Sequence, residues 1–421
     1  MSSRPRRPIC PRAPLVALLA GGALAAGVAV TACSAGGGHR LPPATGPQPQ
    51  RSSCVIAADS AAPSPIVTAA FDDTADARRA LLATSRVAPL RLDCEGRPLP
   101  GLAVAWSRDT SGRFWTFELD PRASADSGAR WTASTLAAAW RADPAASATL
   151  RWSGVTSLVP LDERRLVAGL ESASFEVPTF FADRVLGVPR MRAPALTLAP
   201  PASGDLRDAI DQGTDLVQTA DPALLDYARR RPGVTSLALP WHRTYLLLLP
   251  ARSAGVGVAI PADTAGFRAG LARDAVRADA RAAAGPFWWD GRASCPTKPM
   301  PKARRAPTDA IAYPAEDSVA RDLAERIVAL AGGNVTARGL AADSFGVALR
   351  LETERGYVLG LPGQSLVPCR ESAAWPPRAM AVPLVDTRPY ALLRRGGPVL
   401  VVEWDAAVRP AESGDTALAA P

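Results

Sequence analysis

Between Leu206 and Leu249 two hydrophobic periods alternate, and that alternation restricts the fold more than any other feature of the chain. Leu206, Ala209 and Ile210 share one helical face, and Gly213 closes that short helix. Asp215 to Thr219 follows as a strand. Asp221 then caps a helix with Pro222 at its first position, and Pro232-Gly233 lies beyond its end. Thr235 to Leu239 and Tyr245 to Leu249 return to strand. Strand–helix–strand order calls for an α/β lobe with a partly parallel sheet.

The flanks supply further elements. Leu102 to Ser107 and Arg113 to Leu119 flank the turn Asp109-Thr-Ser-Gly112, and Trp115, Phe117 and Leu119 alternate with more polar neighbours. This is a β-hairpin with one apolar face. Thr132 is an N-cap, Leu136, Ala139 and Trp140 share a helical face, and Pro144 stops that helix. Val155 to Val159 and Arg164 to Leu170 are strands around Leu161-Asp162-Glu163. Phe267 to Arg281 is expected to be helical and Ala283 to Thr308 loop. From the cap Asp317, Val319, Leu323, Ile327 and Leu330 repeat at helical spacing until Gly332-Gly333. Met380 to Val385 and Val399 to Glu403 are late strands, and the tail after Ala406 is expected to fray.

The N-terminus decides the compartment. Arg4, Arg6, Arg7 and Arg12 precede an apolar run, Leu15 to Val30, and small residues lead to Cys33. That order makes a secretory signal peptide, residues 1–32. The run is shorter than a membrane span. Val30-Thr-Ala-Cys33 resembles the lipobox of bacterial lipoproteins, which implies that Cys33 is lipidated and becomes the first mature residue. The mature protein is then extracytoplasmic and anchored to the bacterial cell membrane. Residues 33–53, rich in Gly, Pro, Ser and Gln, form a flexible tether. Of the formal charge of +8, four arginines lie in the signal peptide. What remains is no footprint for nucleic acid. Cys54, Cys94, Cys295 and Cys369 remain in an oxidising compartment, where two disulfides with three possible pairings are expected. A zinc site from all four lacks close C-x-x-C spacing.

Four stretches in order resemble the family 5 extracellular solute-binding proteins, the peptide- and nickel-type receptors of ABC importers. The first runs from Leu99-Pro-Gly-Leu-Ala-Val-Ala-Trp106 through Arg113-Phe-Trp-Thr-Phe-Glu-Leu119 to Trp131-Thr-Ala-Ser-Thr-Leu-Ala-Ala-Ala-Trp140. It is similar to the family's "L-A-x-S-W", "Y-T-F-x-L" and "T-A-x-D-V-x-x-S-W", with Ser134 and Thr135 near the usual acidic position. The others are Gly213-Thr-Asp-Leu-Val217, Asp317 to Leu330, and Val382-Pro-Leu-Val running to Tyr390. The resemblance implies a two-lobed α/β fold of the periplasmic-binding-protein class II (cluster C) type with a central cleft. Lobe 1 would take 54–250 and 377–421, and lobe 2 would take 251–376. The crossings would lie near Thr244 to Pro250 and Pro376 to Val382. The pairing Cys54–Cys94 with Cys295–Cys369 then keeps each bridge beside one lobe. Family members run longer, and Ala251 to Pro314 is compressed here.

The implied function is capture of a small solute, with peptide the base-rate guess, and delivery to ABC permease subunits by a monomeric receptor that closes on its hinge. The alternative is a degenerate lipoprotein of the same fold with a structural or regulatory role and no transport. Candidate ligand residues are Trp241, Arg243 and Tyr245 beside the first crossing, and Trp288, Trp289 and Asp290 in the aromatic loop. Guanidinium groups grip carboxylates bidentately and indoles stack on flat or cationic groups. Asp386, Arg388 and Tyr390 are weaker candidates, and Lys298, Lys302, Arg304 and Arg305 are expected in a solvated loop. An exported hydrolase is disfavoured: no G-x-S-x-G, H-E-x-x-H or P-loop pattern occurs, and the histidines are His39 and His242 alone. No catalytic residue, cofactor or metal is expected.

Overall fold

A computed structural model describes residues 54–56, 66–124, 128, 130–190, 195–199, 203–250, 264–285, 287–290, 295, 308–331, 334–372, 375 and 379–411. The signal peptide, Cys33, the tether and the basic run from Lys298 to Arg305 lie outside the described residues.

Two large sheets carry the fold. The first has five strands in the order Ala195–Leu198, Ile66–Phe71, Leu216–Thr219, Tyr390–Arg394 and Val234–Ala238. The first three run parallel, and Tyr390–Arg394 is antiparallel to both its neighbours. Side chains alternate between faces. Val67, Ala69, Leu216, Ala391 and Leu393 bury one face with Ala80 of the helix Thr74–Ser85. Ala70, Val217 and Leu392 bury the other against the helices Leu206–Asp211 and Pro222–Arg229. A sheet covered on both sides accounts for the dense apolar runs in its strands.

The second sheet has six strands in the order Ala280–Ala282, Met380–Thr387, Arg243–Leu249, Glu354–Pro362, Thr308–Pro314 and Thr336–Leu340. Tyr245, Leu247, Ile311 and Val358 face the helix Ser318–Ala331. Leu246, Leu248, Ala312 and Tyr357 face the helix Ala342–Leu351 together with Trp289 and Trp375. Asp317 caps the helix at Ser318, as its spacing predicts, accepting from the Ala320 amide at 3.0 Å.

A four-stranded antiparallel meander, Ala103–Arg108, Phe114–Leu119, Arg165–Leu170 and Val155–Pro160, completes the hairpin expected from the sequence. Trp115, Phe117 and Leu119 are buried, and Phe114 is exposed. The Asp109 carboxylate accepts from the Phe114 amide at 3.0 Å, which fixes the turn. Thr132 caps the helix Ala133–Ala142 through a reciprocal box with Thr135. Leu136 and Trp140 are buried beside Phe181, and the Trp140 indole donates to the Leu186 carbonyl at 2.9 Å.

Three local expectations are corrected. Pro144 ends one helix and also begins another, Pro144–Trp152, because Asp143 accepts from the Ala145 and Ala146 amides. The helical stretch expected from 267 to 281 is the helix Thr264–Asp274 followed by the edge strand Ala280–Ala282. The segment after Ala406 does not fray at first. Val408–Pro410 pairs with Leu400–Val402, and Arg409, 2% exposed, pairs with Glu403 at 2.9 Å. The disulfides Cys54–Cys94 and Cys295–Cys369 are both present.

The chain passes twice between the two large sheets. Val234–Ala238 ends in the first and Arg243–Leu249 begins in the second, while Met380–Thr387 lies in the second and Tyr390–Arg394 in the first. The passages therefore fall at 239–242 and 388–389, whereas the sequence placed them at 244–250 and 376–382.

Candidate functional site

A cavity of about 600 Å³ opens beside the first of these passages. One wall is a single face of the helix Thr74–Ser85 and its end: Ala75, Arg78, Arg79, Leu82 and Arg86. These positions recur every three or four residues, so one helical stripe faces the cavity. Asp73 caps the helix, accepting from the Ala75 amide at 2.7 Å. The opposite wall is the end of the strand Glu354–Pro362 and the segment that carries Gln364, Ser365 and Arg370. Trp241, His242 and Arg243 form its floor, and Asp183, Arg184, Trp404 and Asp405 close one side.

Charge is arranged in layers. At the helix N-terminus, Arg243 pairs with Asp73 at 2.6 Å and lies 3.7 Å from Asp76, while Arg79 pairs with Asp76. Burial works against ionisation of Asp73, but Arg243 outweighs it and holds the carboxyl below its ordinary range. Burial, then the charge on Arg243, pulls Arg79 down to about 10, so it stays cationic at neutral pH. His242 places Nε2 3.0 Å from an Arg79 nitrogen. A guanidinium only donates, so Nε2 accepts and the proton sits on Nδ1. Burial first, then Arg79 and Arg243, lowers the His242 pKa to about 3. The imidazole is neutral and already engaged, which makes it a poor general base for a ligand.

On the closing side, Arg184 donates to Glu403 at 2.8 Å and to Asp405 at 2.9 Å. Burial opposes ionisation of Asp405, yet Arg184 and then Arg79 bring it down to about 2. Arg370 spans from the helix Pro368–Ser372 to Asp183 at 2.8 Å and Thr149 at 3.2 Å. Leu366 packs against the core behind the four-stranded meander. The segment around 366–370 thus bridges the two sides of the cavity.

The candidates named from sequence divide. Trp241 lines the cavity, but the guanidinium groups of Arg281 and Arg388 lie over its ring at 4.6 and 4.4 Å. Arg388 is held by Asp279 at 2.7 Å, to which Tyr390 also donates at 2.7 Å, so this cluster braces the two passages together. Arg243 lines the cavity as well. Tyr245 does not: it is 2% exposed and donates to Asp317 at 3.0 Å. Trp288, Trp289 and Asp290 are not among its lining residues either, although Trp288 touches the lining residue Pro362. Trp289 stacks on Phe287 at 4.4 Å and packs near Trp375, the Trp288 indole donates to the Pro362 carbonyl, and Asp290 accepts from the Phe287 amide. Asp386 is buried and accepts from Thr244 at 2.8 Å. Among the described residues no group of three or more His, Cys, Asp or Glu side chains could hold a metal ion.

Sequence reading missed Arg78, Arg79, Arg86, Arg184, Arg370 and Asp405. The local signal for the first three was the cap Asp73 followed by Asp76 and Arg79 three apart. Nothing in the sequence brings the others to them.

No family model matches the sequence, and no curated protein matches it. Solved structures do match. The pheromone receptor PrgZ, a peptide-binding protein, aligns with a TM-score of 0.58 at 11% identity over 83% of this chain and 100% of that one. NikA of Staphylococcus aureus, in complex with Ni(L-His)2, gives 0.55 at 10% identity over 82% and 98%. A periplasmic oligopeptide-binding protein of Borrelia burgdorferi gives 0.54 at 12% identity over 78% and 95%. The fold is the two-lobed α/β fold of periplasmic binding proteins.

Proposed function

We propose that this chain is a solute-binding receptor of an ABC importer, a member of the family 5 group in divergent form. It captures a small solute between two lobes and hands it to a permease without chemical change. The observation that carries the reading is the position of the cavity, about 600 Å³, at the first passage between the large sheets, whose Trp241 is braced to the second by Arg388. A pocket at a hinge is closed by hinge motion, and its volume suits a small molecule. Sheet pairing supports a division into lobes at 239–242 and 388–389. A non-catalytic role is supported by the site's carboxylates lying in ion pairs and by its neutral, engaged imidazole. The signal peptide, the lipid on Cys33 and a monomeric state belong to the same proposal.

Native mass spectrometry of protein purified from its own host tests it. A small adduct that leaves on denaturation, with a smaller radius of gyration in its presence, is the expected result. Protein that carries no adduct and keeps one radius in every solute extract would sink the receptor reading. Cys33→Ala is expected to move the protein from the membrane to the soluble fraction; unchanged membrane attachment would remove the lipid anchor from the proposal.

A further inference from the structure

The cavity's cations outnumber the carboxylates free to answer them. The four carboxylates that line it among the described residues are all taken. Asp183 and Glu371 hold Arg370 at 2.8 and 2.9 Å, Asp405 holds Arg184, and Glu95 holds Arg97 at 3.0 Å. Arg79 and Arg243, which also line it, are answered by Asp76 and Asp73. Arg78 and Arg86 line the cavity with no carboxylate partner among the described residues. Arg86 donates to the Gly187 carbonyl through Nε at 3.0 Å and Nη2 at 2.5 Å, which aims its fork and leaves the Nη1 donors unused. Arg78 is exposed.

We propose, resting on the receptor reading above, that the solute is a small polyanion carrying carboxylate or phosphate groups, gripped by Arg78 and Arg86. Three physical points favour this class. A cationic solute would meet two uncompensated guanidinium groups and, among the described residues, no free carboxylate. A neutral solute would strip water from those groups and return no charge-assisted bond. Arg78 lies in the helix and Arg86 is its C-cap, eight positions on, so they are separate donors and each can take its own anionic group. The planar fork of each guanidinium matches a carboxylate or a phosphate edge. The walls also offer the Gln364 side chain, which is exposed, as a neutral hydrogen-bonding group. A long extended peptide has no charge argument in its favour here.

Isothermal titration of the mature protein tests the proposal with five probes: citrate, fructose 1,6-bisphosphate, acetate, trimethyl citrate and trilysine. Citrate or the bisphosphate is expected to bind, the stronger of them reporting whether carboxylate or phosphate is preferred. Acetate should bind at least tenfold more weakly, and the neutral ester and trilysine should give no heat. R78Q/R86Q should weaken polyanion binding by at least about a hundredfold, a roughly tenfold or greater loss for each guanidinium removed. R78K/R86K keeps the charge but not the fork and should fall between. Circular dichroism melting should place R78Q near the parent, because Arg78 is exposed and in no ion pair. Variants at Arg86 lose its bonds to the Gly187 carbonyl and should melt lower, so R78Q alone must also weaken polyanion binding, by at least about tenfold. Polyanion binding that survives R78Q/R86Q, silence from both polyanions, or binding of trilysine or the neutral ester overturns the anionic assignment. Trilysine or ester binding with lobe closure leaves the receptor reading standing, whereas host protein without any adduct defeats that reading itself.

Discussion

His242 lies between two cations, and its ionisation couples the site to folding. Its folded pKa, about 3, is below the ordinary histidine value of about 6.5, so the unfolded chain binds the extra proton first. Stability from this residue is therefore complete above about pH 6.5 and is lost as pH falls toward 3, on the order of 3 kcal/mol by pH 4. Urea unfolding of H242Q between pH 7 and 4 is expected to show a flatter pH dependence than the parent; parallel curves would contradict a buried neutral imidazole. Asp405 is the opposite charge type with the same sign of effect. Its folded pKa of about 2 lies below the unfolded value, so its contribution is present above about pH 4 and disappears toward pH 2. D405N leaves Arg184 and Arg79 with less compensation and is expected to cost about 3–5 kcal/mol in urea unfolding. A loss under 1 kcal/mol would mean that water already screens this network.

The strand Glu354–Pro362 shows how an element positions site groups. A Cβ on Gly360 would stand 2.9 Å from the Tyr245 ring and 3.0 Å from Arg243 Cδ. The glycine lets two strands of the second sheet approach where Arg243 turns toward Asp73. G360A is expected to destabilise by about 1–3 kcal/mol through overpacking, read as a lower urea midpoint with an unchanged m-value. An unchanged midpoint would mean the ring has room to shift. The disulfide Cys295–Cys369 acts over a longer range, closing a sequence separation of 74 residues around much of the second sheet. The chain-entropy account gives its removal in C295S/C369S a cost of about 4 kcal/mol, and calorimetry on the double variant checks it.

At the scale of the molecule, the two sheets are held together by more than the passages. Arg243–Asp73 ties the second sheet to the helix on the first, Trp241 with Arg388 braces both passages, and Arg370–Asp183 crosses the cavity. If the lobes move as proposed, these contacts set how far they open. D183N keeps the shape of the side chain and removes the charge that Arg370 crosses to reach. Its radius of gyration by small-angle scattering is expected to exceed that of the parent in the unliganded state, and an identical radius would show that the ion pair does not restrain opening.

How much of this was legible in the sequence follows from range along the chain. Caps at Thr132, Asp221 and Asp317, the hairpin turn at Asp109, and the alternation of apolar residues are settled within a few residues, and they identified the elements and the α/β class. The edge strand Ala280–Ala282 and the buried strand Val408–Pro410 escaped, because partners elsewhere in the chain and not their own composition make them strands. The aromatic loop drew attention as a site by composition, yet Trp289 is spent on core packing with Phe287 and Trp375. The cavity was invisible in the same way: Arg370 meets Asp183 across 187 positions and Arg184 meets Asp405 across 221. Local periodicity dictated which segments become helix and strand, since capping and side-chain alternation act over one or two turns. Only tertiary structure decided which arginines found carboxylates and which were left facing the cavity, since ion pairing depends on distance in space and no sequence spacing encodes it.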